Sequence, residues 1–404
     1  MSVPKLRFRE FDGDWTGLKI IDLVKSLDAG VSVNSEDVEP KEDEYSVLKT
    51  SCISSGYFDE NERKRVLQDG EIQRLKEPVL DDSILMSRMN TPLLVGMNAY
   101  VFKAPKNTFL PDRLWQLKID DNKTVTRWLA FYLGSDQGLN QIRDLASGTS
   151  NSMKNITKPD VLNIDLFAPQ KEEQTKIASF LSAVDEKISQ LTQKHELLSQ
   201  YKQGMMQKLF SQQIRFKADD GSEFGEWASE KISKVFTNKS KSFNPLLNES
   251  LPCIELEHLS PNTGQILGTV NSSDQQSTKN LFEPNSVLYG KLRPYLRKFA
   301  KPQFKGVCSS EIWVLTGLKI SNDYLFQFVQ SEQFTELTNI QSGSKMPRAD
   351  WNVIADSEIE FPCLEEQTKI ANFLSAIDQK VEVVAQQIKQ AKTWKKGLLQ
   401  QMFV

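Results

Sequence analysis

PQKEEQTKIASFLSAVDEKI, residues 169–188, returns as PCLEEQTKIANFLSAIDQKV, residues 362–381. The two stretches agree at fourteen of twenty positions at a constant offset of 193. The offset holds further on, where Gly204-Met205-Met206-Gln207-Lys208-Leu209-Phe210 answers Gly397-Leu398-Leu399-Gln400-Gln401-Met402-Phe403. A 404-residue chain that repeats itself at half its length is an internal pseudo-dimer.

Within the first copy, apolar residues fall at Ile177, Leu181, Val184, Ile188 and Leu191, then Leu198, Met205 and Leu209. The second copy gives Ile370, Leu374, Ile377, Val381, Val384 and Ile388. Spacing that alternates four and three is a coiled-coil seam. Pro169 and Pro362 suit a first turn, and Glu172-Glu173 and Glu365-Glu366 complement the helix dipole there. From Ile177 to Leu209 the rise is roughly 48 Å at about 1.5 Å per residue. A pseudo-twofold relation between the halves makes the two helices antiparallel. The near-identity also takes in surface-type residues such as Gln174, Thr175 and Lys176, more than a seam requires. A repeated surface suggests two copies of one partner. Glu172, Glu173, Gln174, Lys176 and Phe180 would form one copy of it, and Glu365, Glu366, Gln367, Lys369 and Phe373 the other.

Outward from the helices, RFREFDGDWTGLKI (7–20) and RFKADDGSEFGEWASEKI (215–232) share Arg-Phe, Asp-Gly, Trp and Lys-Ile in the same order. One copy opens the chain and the other follows the first helix, so the layout is closed, with adjacent termini. Weaker matches continue in order: Ser83–Arg88 with Ser286–Lys291, Leu114–Leu117 with Ile312–Leu315, Trp128–Leu133 with Tyr324–Val329, and Ser147-Gly148-Thr149 with Ser342-Gly343-Ser344. Short β-type runs alternate with loops and with helices such as 125–145 and 321–340. The expected fold class is α+β, with two globular modules separated by a pair of long antiparallel coiled-coil helices. The segments are 1–168, 169–212, 213–361 and 362–404.

A net charge of −3 describes an ordinary globular chain and neither supports nor excludes nucleic acid. No run of eighteen apolar residues and no apolar leader is present. Cys52, Cys253, Cys308 and Cys363 are scattered and read as free thiols of a cytoplasmic protein.

Local charge is more informative. YGKLRPYLRKFAKPQFK (289–305) carries Lys291, Arg293, Arg297, Lys298, Lys301 and Lys305 with no acid, interleaved with aromatics including Tyr295. Such groups supply phosphate contacts, and arginine or lysine makes the commonest contact to guanine. Ser342, Ser344, Lys345 and Arg348 form a second candidate, because small hydroxyl and glycine residues let a backbone approach phosphate. Its counterpart holds Ser147, Thr149, Lys154 and Lys158. Arg88, Lys103, Lys106 and Arg113 are the more dispersed cations of the first module.

Catalysis has no candidate. His195 sits at a heptad position, and His258 lacks companions for a metal set. Pro159-Asp160 with Asp185-Glu186-Lys187 imitates a nuclease pattern, but the second copy lacks the Pro-Asp. No amino-methyltransferase motif and no cofactor glycine loop is found.

In combination, the duplicated EEQTKIA helices, the Arg-Phe…Gly…Trp…Lys-Ile module starts, the run Leu288–Leu296 and the Ser-Gly loops resemble the DNA-specificity subunit of bacterial type I restriction–modification systems. The resemblance spans the whole chain. It implies that each module is a target-recognition domain reading half of a split DNA sequence. It further implies that the helices act as a ruler and dock two methyltransferase subunits, and that restriction/translocase subunits join for cleavage. S-adenosylmethionine, ATP and magnesium would belong to those partners, with no metal, cofactor or catalytic residue in this chain. Two rivals are a coiled-coil scaffold tethering two protein ligands, which salt-dependent DNA binding would separate, and a self-sufficient nuclease or methyltransferase.

Overall fold

The computed structural model describes residues 3–150, 153–342 and 346–404. The chain forms two compact units. One comprises Met1–Leu191 with Gln387–Val404, the other Thr192–Gln386. Each unit is one module plus half of each long helix.

The first long helix spans Lys171–Phe210 and the second Leu364–Met402. They begin two residues after Pro169 and Pro362. In the first unit, Ile177, Leu181, Val184 and Ile188 share a core with Leu398, Met402 and Phe403. In the second, Met206 and Leu209 share one with Ile370, Leu374 and Ile377. The start of each helix therefore packs with the end of the other, which is antiparallel pairing. The seam also faces inward onto each module: Trp15 and Trp128 belong to the first cluster, Phe236 and Tyr324 to the second. A stripe that serves a module and a helix at once is wider than a pure coiled-coil seam.

In the first unit, Val24–Ala29, Leu114–Ile119, Ser83–Ser87 and Asn98–Val101 form a four-stranded sheet in that order. Every residue of Ser83–Ser87 is buried, as a central strand covered on both faces requires. A smaller sheet orders Arg63–Val66, Tyr45–Leu48 and Thr108–Phe109, the last pair parallel. The second unit repeats the plan. Its four-stranded sheet orders Phe236–Thr237, Ile312–Gly317, Val287–Gly290 and Phe299–Ala300. Its second sheet has five strands and contains a parallel pair, Pro252–Ile254 with Gly306–Cys308, flanked by Val270–Asn271.

Each expected helix beside these sheets is two helices. Thr126–Leu133 is followed by Asp136–Asp144, and Asn322–Phe328 by Glu332–Asn339. The break is a serine cap: Ser135 Oγ accepts from the Gly138 N–H at 3.2 Å, and Ser331 Oγ from the Phe334 N–H at 3.2 Å. No described helix is long and apolar enough to cross a membrane.

Candidate nucleic-acid interface

The duplicated helix starts are sockets. Glu173 accepts from Arg7 Nε and Nη2 at 2.8 and 2.7 Å, and Glu366 accepts from Arg215 Nε and Nη2 at 3.1 and 2.7 Å. Each carboxylate raises its arginine above the usual guanidinium value through that hydrogen bond. Gln174 Oε1 accepts from Thr124 Oγ1 and the Val125 N–H at 2.7 and 2.8 Å, while its Nε2 donates to the Pro169 carbonyl at 2.9 Å. Gln367 does the same with the Ser321 N–H and the Pro362 carbonyl, both at 2.9 Å. Phe180 meets Phe8 edge-on at 5.7 Å, and Phe373 meets Phe216 at 5.7 Å. Lys176 pairs with Glu10 and Lys369 with Asp219.

Four residues expected at a repeated outer surface are thus buried: Glu173, Gln174, Glu366 and Gln367. Their identity between copies follows from an internal need, since each socket seats the Arg-Phe segment and one end of its module. Glu172, Lys176 and Glu365 remain exposed.

Above each central sheet the same small framework recurs. In the second unit the Lys291 N–H donates to the Glu311 carbonyl at 2.9 Å, and the Lys291 carbonyl accepts from the Ala349 N–H at 2.9 Å. Leu292 bridges Arg348, and Ser342 pairs with Arg348. In the first unit the Arg88 N–H donates to the Arg113 carbonyl at 3.0 Å, and the Arg88 carbonyl accepts from the Ile156 N–H at 3.0 Å. Met89 pairs with Asn155, and Asn155 with Ser147. Arg88 is therefore the counterpart of Lys291, Arg113 of Glu311, and Asn155 of Arg348.

In the second unit the chain then turns sharply. Arg293 and Arg297 have φ of 53° and 47°, on either side of the single turn Pro294–Leu296. Left-handed backbone at two non-glycine residues costs energy and clusters at functional sites. The turn is held because the Arg293 N–H donates to the Pro347 carbonyl at 2.7 Å. It presents Arg293 and Tyr295 to solvent.

The six cations of 289–305 divide sharply once folded. Arg297 pairs with the Gln330 carbonyl and with Glu332 at 3.8 Å. Lys298 donates to the Leu256 carbonyl at 2.6 Å. Lys301 pairs with Asp323, and Lys305 with Glu283 at 3.0 Å. Those four are engaged within the module. Lys291 and Arg293 have no side-chain partner among the described residues. Arg348 is pinned by Glu311, its Nε 3.1 Å from Oε2 and Nη2 3.4 Å from Oε1, yet its side chain is 51% exposed. Ser344 and Lys345 lie outside the described residues.

Among first-module candidates, Lys154 Nζ folds back onto the Gly148 carbonyl at 3.0 Å. Gly148 has φ of 148°, and a Cβ there would lie 2.8 Å from the Met153 carbonyl oxygen, so the hairpin requires glycine. Ser147 Oγ approaches the Asn155 carbonyl at 3.5 Å. Thr149 contributes backbone to the strand Ser147–Ser150. Lys158 is half-buried, and Arg88 makes one long bond to the Asp112 carbonyl at 3.4 Å.

A basic strand escaped the sequence reading. Arg63-Lys64-Arg65 runs along the edge of the smaller sheet. Lys64 and Lys49 border a cavity of about 370 Å³ with Ser32, Ser35 and Pro111. Three consecutive cations were the available signal. It was masked by the acidic stretch Glu36–Glu44, which folds back: Arg65 meets Glu36 at 2.7 Å, and Lys49 meets Asp37 at 2.6 Å. At the matching strand of the second unit stand Val270 and Asn271.

Among the described residues no cluster of three or more histidine, cysteine or acidic side chains could hold a metal ion.

Comparison with known proteins agrees with this duplicated architecture. The family model described as the type I restriction modification DNA specificity domain matches twice, over residues 13–200 and 226–393. The specificity subunit of the Escherichia coli type I restriction enzyme EcoDI is 25% identical over 61% of this chain. That of the Methanocaldococcus jannaschii enzyme MjaVIII is 26% identical over 59%. The chain spans 62% and 60% of those relatives' lengths. The crystal structure of a type I restriction–modification S subunit from M. genitalium superposes with a TM-score of 0.60 at 17% identity, covering 100% of this chain and 99% of that one. A second, described as the structural basis of complex assembly and conformational transition of the type I system, gives 0.54 at 16% identity over 95% and 96%. With both halves matched by the same model and the whole fold shared, the chain belongs to the family of type I restriction–modification DNA-specificity subunits.

Proposed function

We propose that this chain is the non-catalytic reading subunit of a type I complex, each module contacting one half of a split DNA target. The observation that carries this reading is the duplicated framework around Arg88 and Lys291. One backbone arrangement appears twice, at the same place in the fold, bearing unlike polar side chains. A protein that reads one symmetric sequence would keep those side chains alike. Lys291, Arg293, Tyr295 and Arg348 form the second reading edge, and Arg88, Arg113 and the Lys64 strand the first. Lys291, Arg293 and Arg113, unpaired among the described residues, and Arg348, paired with Glu311 but with half of its side chain open to solvent, are available to phosphates and base edges.

Two methyltransferase subunits would dock on the exposed helix-start residues, Glu172 and Lys176 at one and Glu365 at the other. Restriction/translocase subunits would join that assembly. S-adenosylmethionine, ATP and magnesium would be bound by those partners.

The test is genome-wide adenine methylation in cells expressing this chain with its cognate methyltransferase, against cells lacking it. Two short unlike half-sites separated by a fixed gap are expected. Symmetric half-sites, or no new methylation from a soluble complex, would overturn the reading.

A further inference from the structure

The two frameworks differ in a way that assigns individual roles. At one equivalent position the first module has Arg113 and the second Glu311, each accepting through its carbonyl from the N–H of Arg88 or Lys291. At the other, the first has Asn155 and the second Arg348. Charge has changed sides. In the second module the arginine comes from the 348 strand, and the acid across from it grips it along one edge, Nε to Oε2 and Nη2 to Oε1. In the first module the arginine comes from the 113 side, is exposed, and has no side-chain partner among the described residues.

A guanidinium gripped side-on by a carboxylate loses rotamer freedom but keeps its remaining N–H groups, because the fork has five donors. Half of the Arg348 side chain stays open to solvent. The salt bridge thus fixes a plane of donors beside the exposed Arg293, on the turn that two left-handed residues project. A planar donor pair held in one orientation matches the O6 and N7 acceptors of guanine in the major groove.

We propose that Arg348 reads a guanine in the second half-site, with Glu311 as its positioning residue, and that Arg113 delivers the equivalent arginine in the first module from the opposite side of the framework. This rests on the DNA-reading function proposed above.

The experiment is methylation profiling of the complete complex carrying Glu311→Gln, Arg348→Lys or Arg113→Ala. Arg348→Lys keeps the charge and removes the fork. Both second-module variants should relax discrimination at the same base pair of the second half-site, by about ten- to a hundredfold, with the first half-site unchanged. Arg113→Ala should relax the first half-site alone. Thermal unfolding of each variant separates a lost contact from a damaged fold. An unchanged second half-site in Glu311→Gln and Arg348→Lys would overturn the assignment, as would equal loss at both half-sites. Failure of the wild-type complex to yield a split motif would instead overturn the reading on which it rests.

Discussion

Arg215 and Glu366 form a two-point ion pair across 151 residues of sequence, and the carboxylate has no exposed surface. Trp227 Nε1 adds a third donor to the same carboxylate at 3.2 Å. Removing Glu366 leaves a guanidinium and an indole N–H without their acceptor. Glu366→Ala should destabilise the second unit by about 2–3 kcal/mol, read as a lower denaturant midpoint with unchanged slope. Arg215→Met combined with Glu366→Met should cost less than the two single changes added. Additive losses would mean that the pair is not a unit.

Gln174 and Gln367 each use both ends of the amide. Replacing either by alanine orphans buried backbone groups, at about 2 kcal/mol. Gln174→Glu should be no milder, since a carboxylate cannot donate to the Pro169 carbonyl. Equal stability of wild type and Gln174→Glu in urea would refute this account.

Reading and assembly should separate by mutation. Arg293→Ala should weaken DNA binding while leaving co-purification with the methyltransferase intact. Reversal of Glu172 and Glu365 together to lysine should do the opposite, because both are exposed and lie outside the sockets. If either change impairs both properties, the two surfaces are not distinct.

Lys64→Ala tests the edge strand that the acidic stretch conceals. A phosphate contact predicts weaker binding to every sequence and a salt slope reduced by about one. An unchanged slope would place Lys64 outside the DNA footprint.

Alkaline pH should unfold the chain. Cys52 and Cys308 have no exposed surface, and burial raises both thiols well above the ordinary value near 9. A raised native pKa means the folded state keeps its proton after the unfolded chain has lost it. The stability so conferred is whole below pH 9 and drains away as pH climbs toward the native value. Unfolding free energy should fall above pH 9 by up to about 1.4 kcal/mol per pH unit for each thiol. Cys308→Ala should flatten that decline by one thiol's share in denaturant titrations between pH 8 and 11.

The sequence by itself determined the duplication, the two long helices, their antiparallel sense and the order of matched strands. Periodic apolar positions such as Ile177, Leu181 and Val184, and repeats such as Leu114–Leu117 with Ile312–Leu315, are one-dimensional signals that survive without coordinates. It also marked the 289–305 stretch as basic. Only the tertiary structure decided which of those cations are free. Lys301 is answered by Asp323, Arg297 by Glu332 and Lys305 by Glu283, acids 22 or more residues away in the sequence. It likewise turned the most repeated residues, Glu173 and Glu366, from a surface into buried sockets by bringing Arg7 and Arg215 to them. The reason is that a charge is neutralised through space, and the partner that neutralises it leaves no mark in the residues beside it.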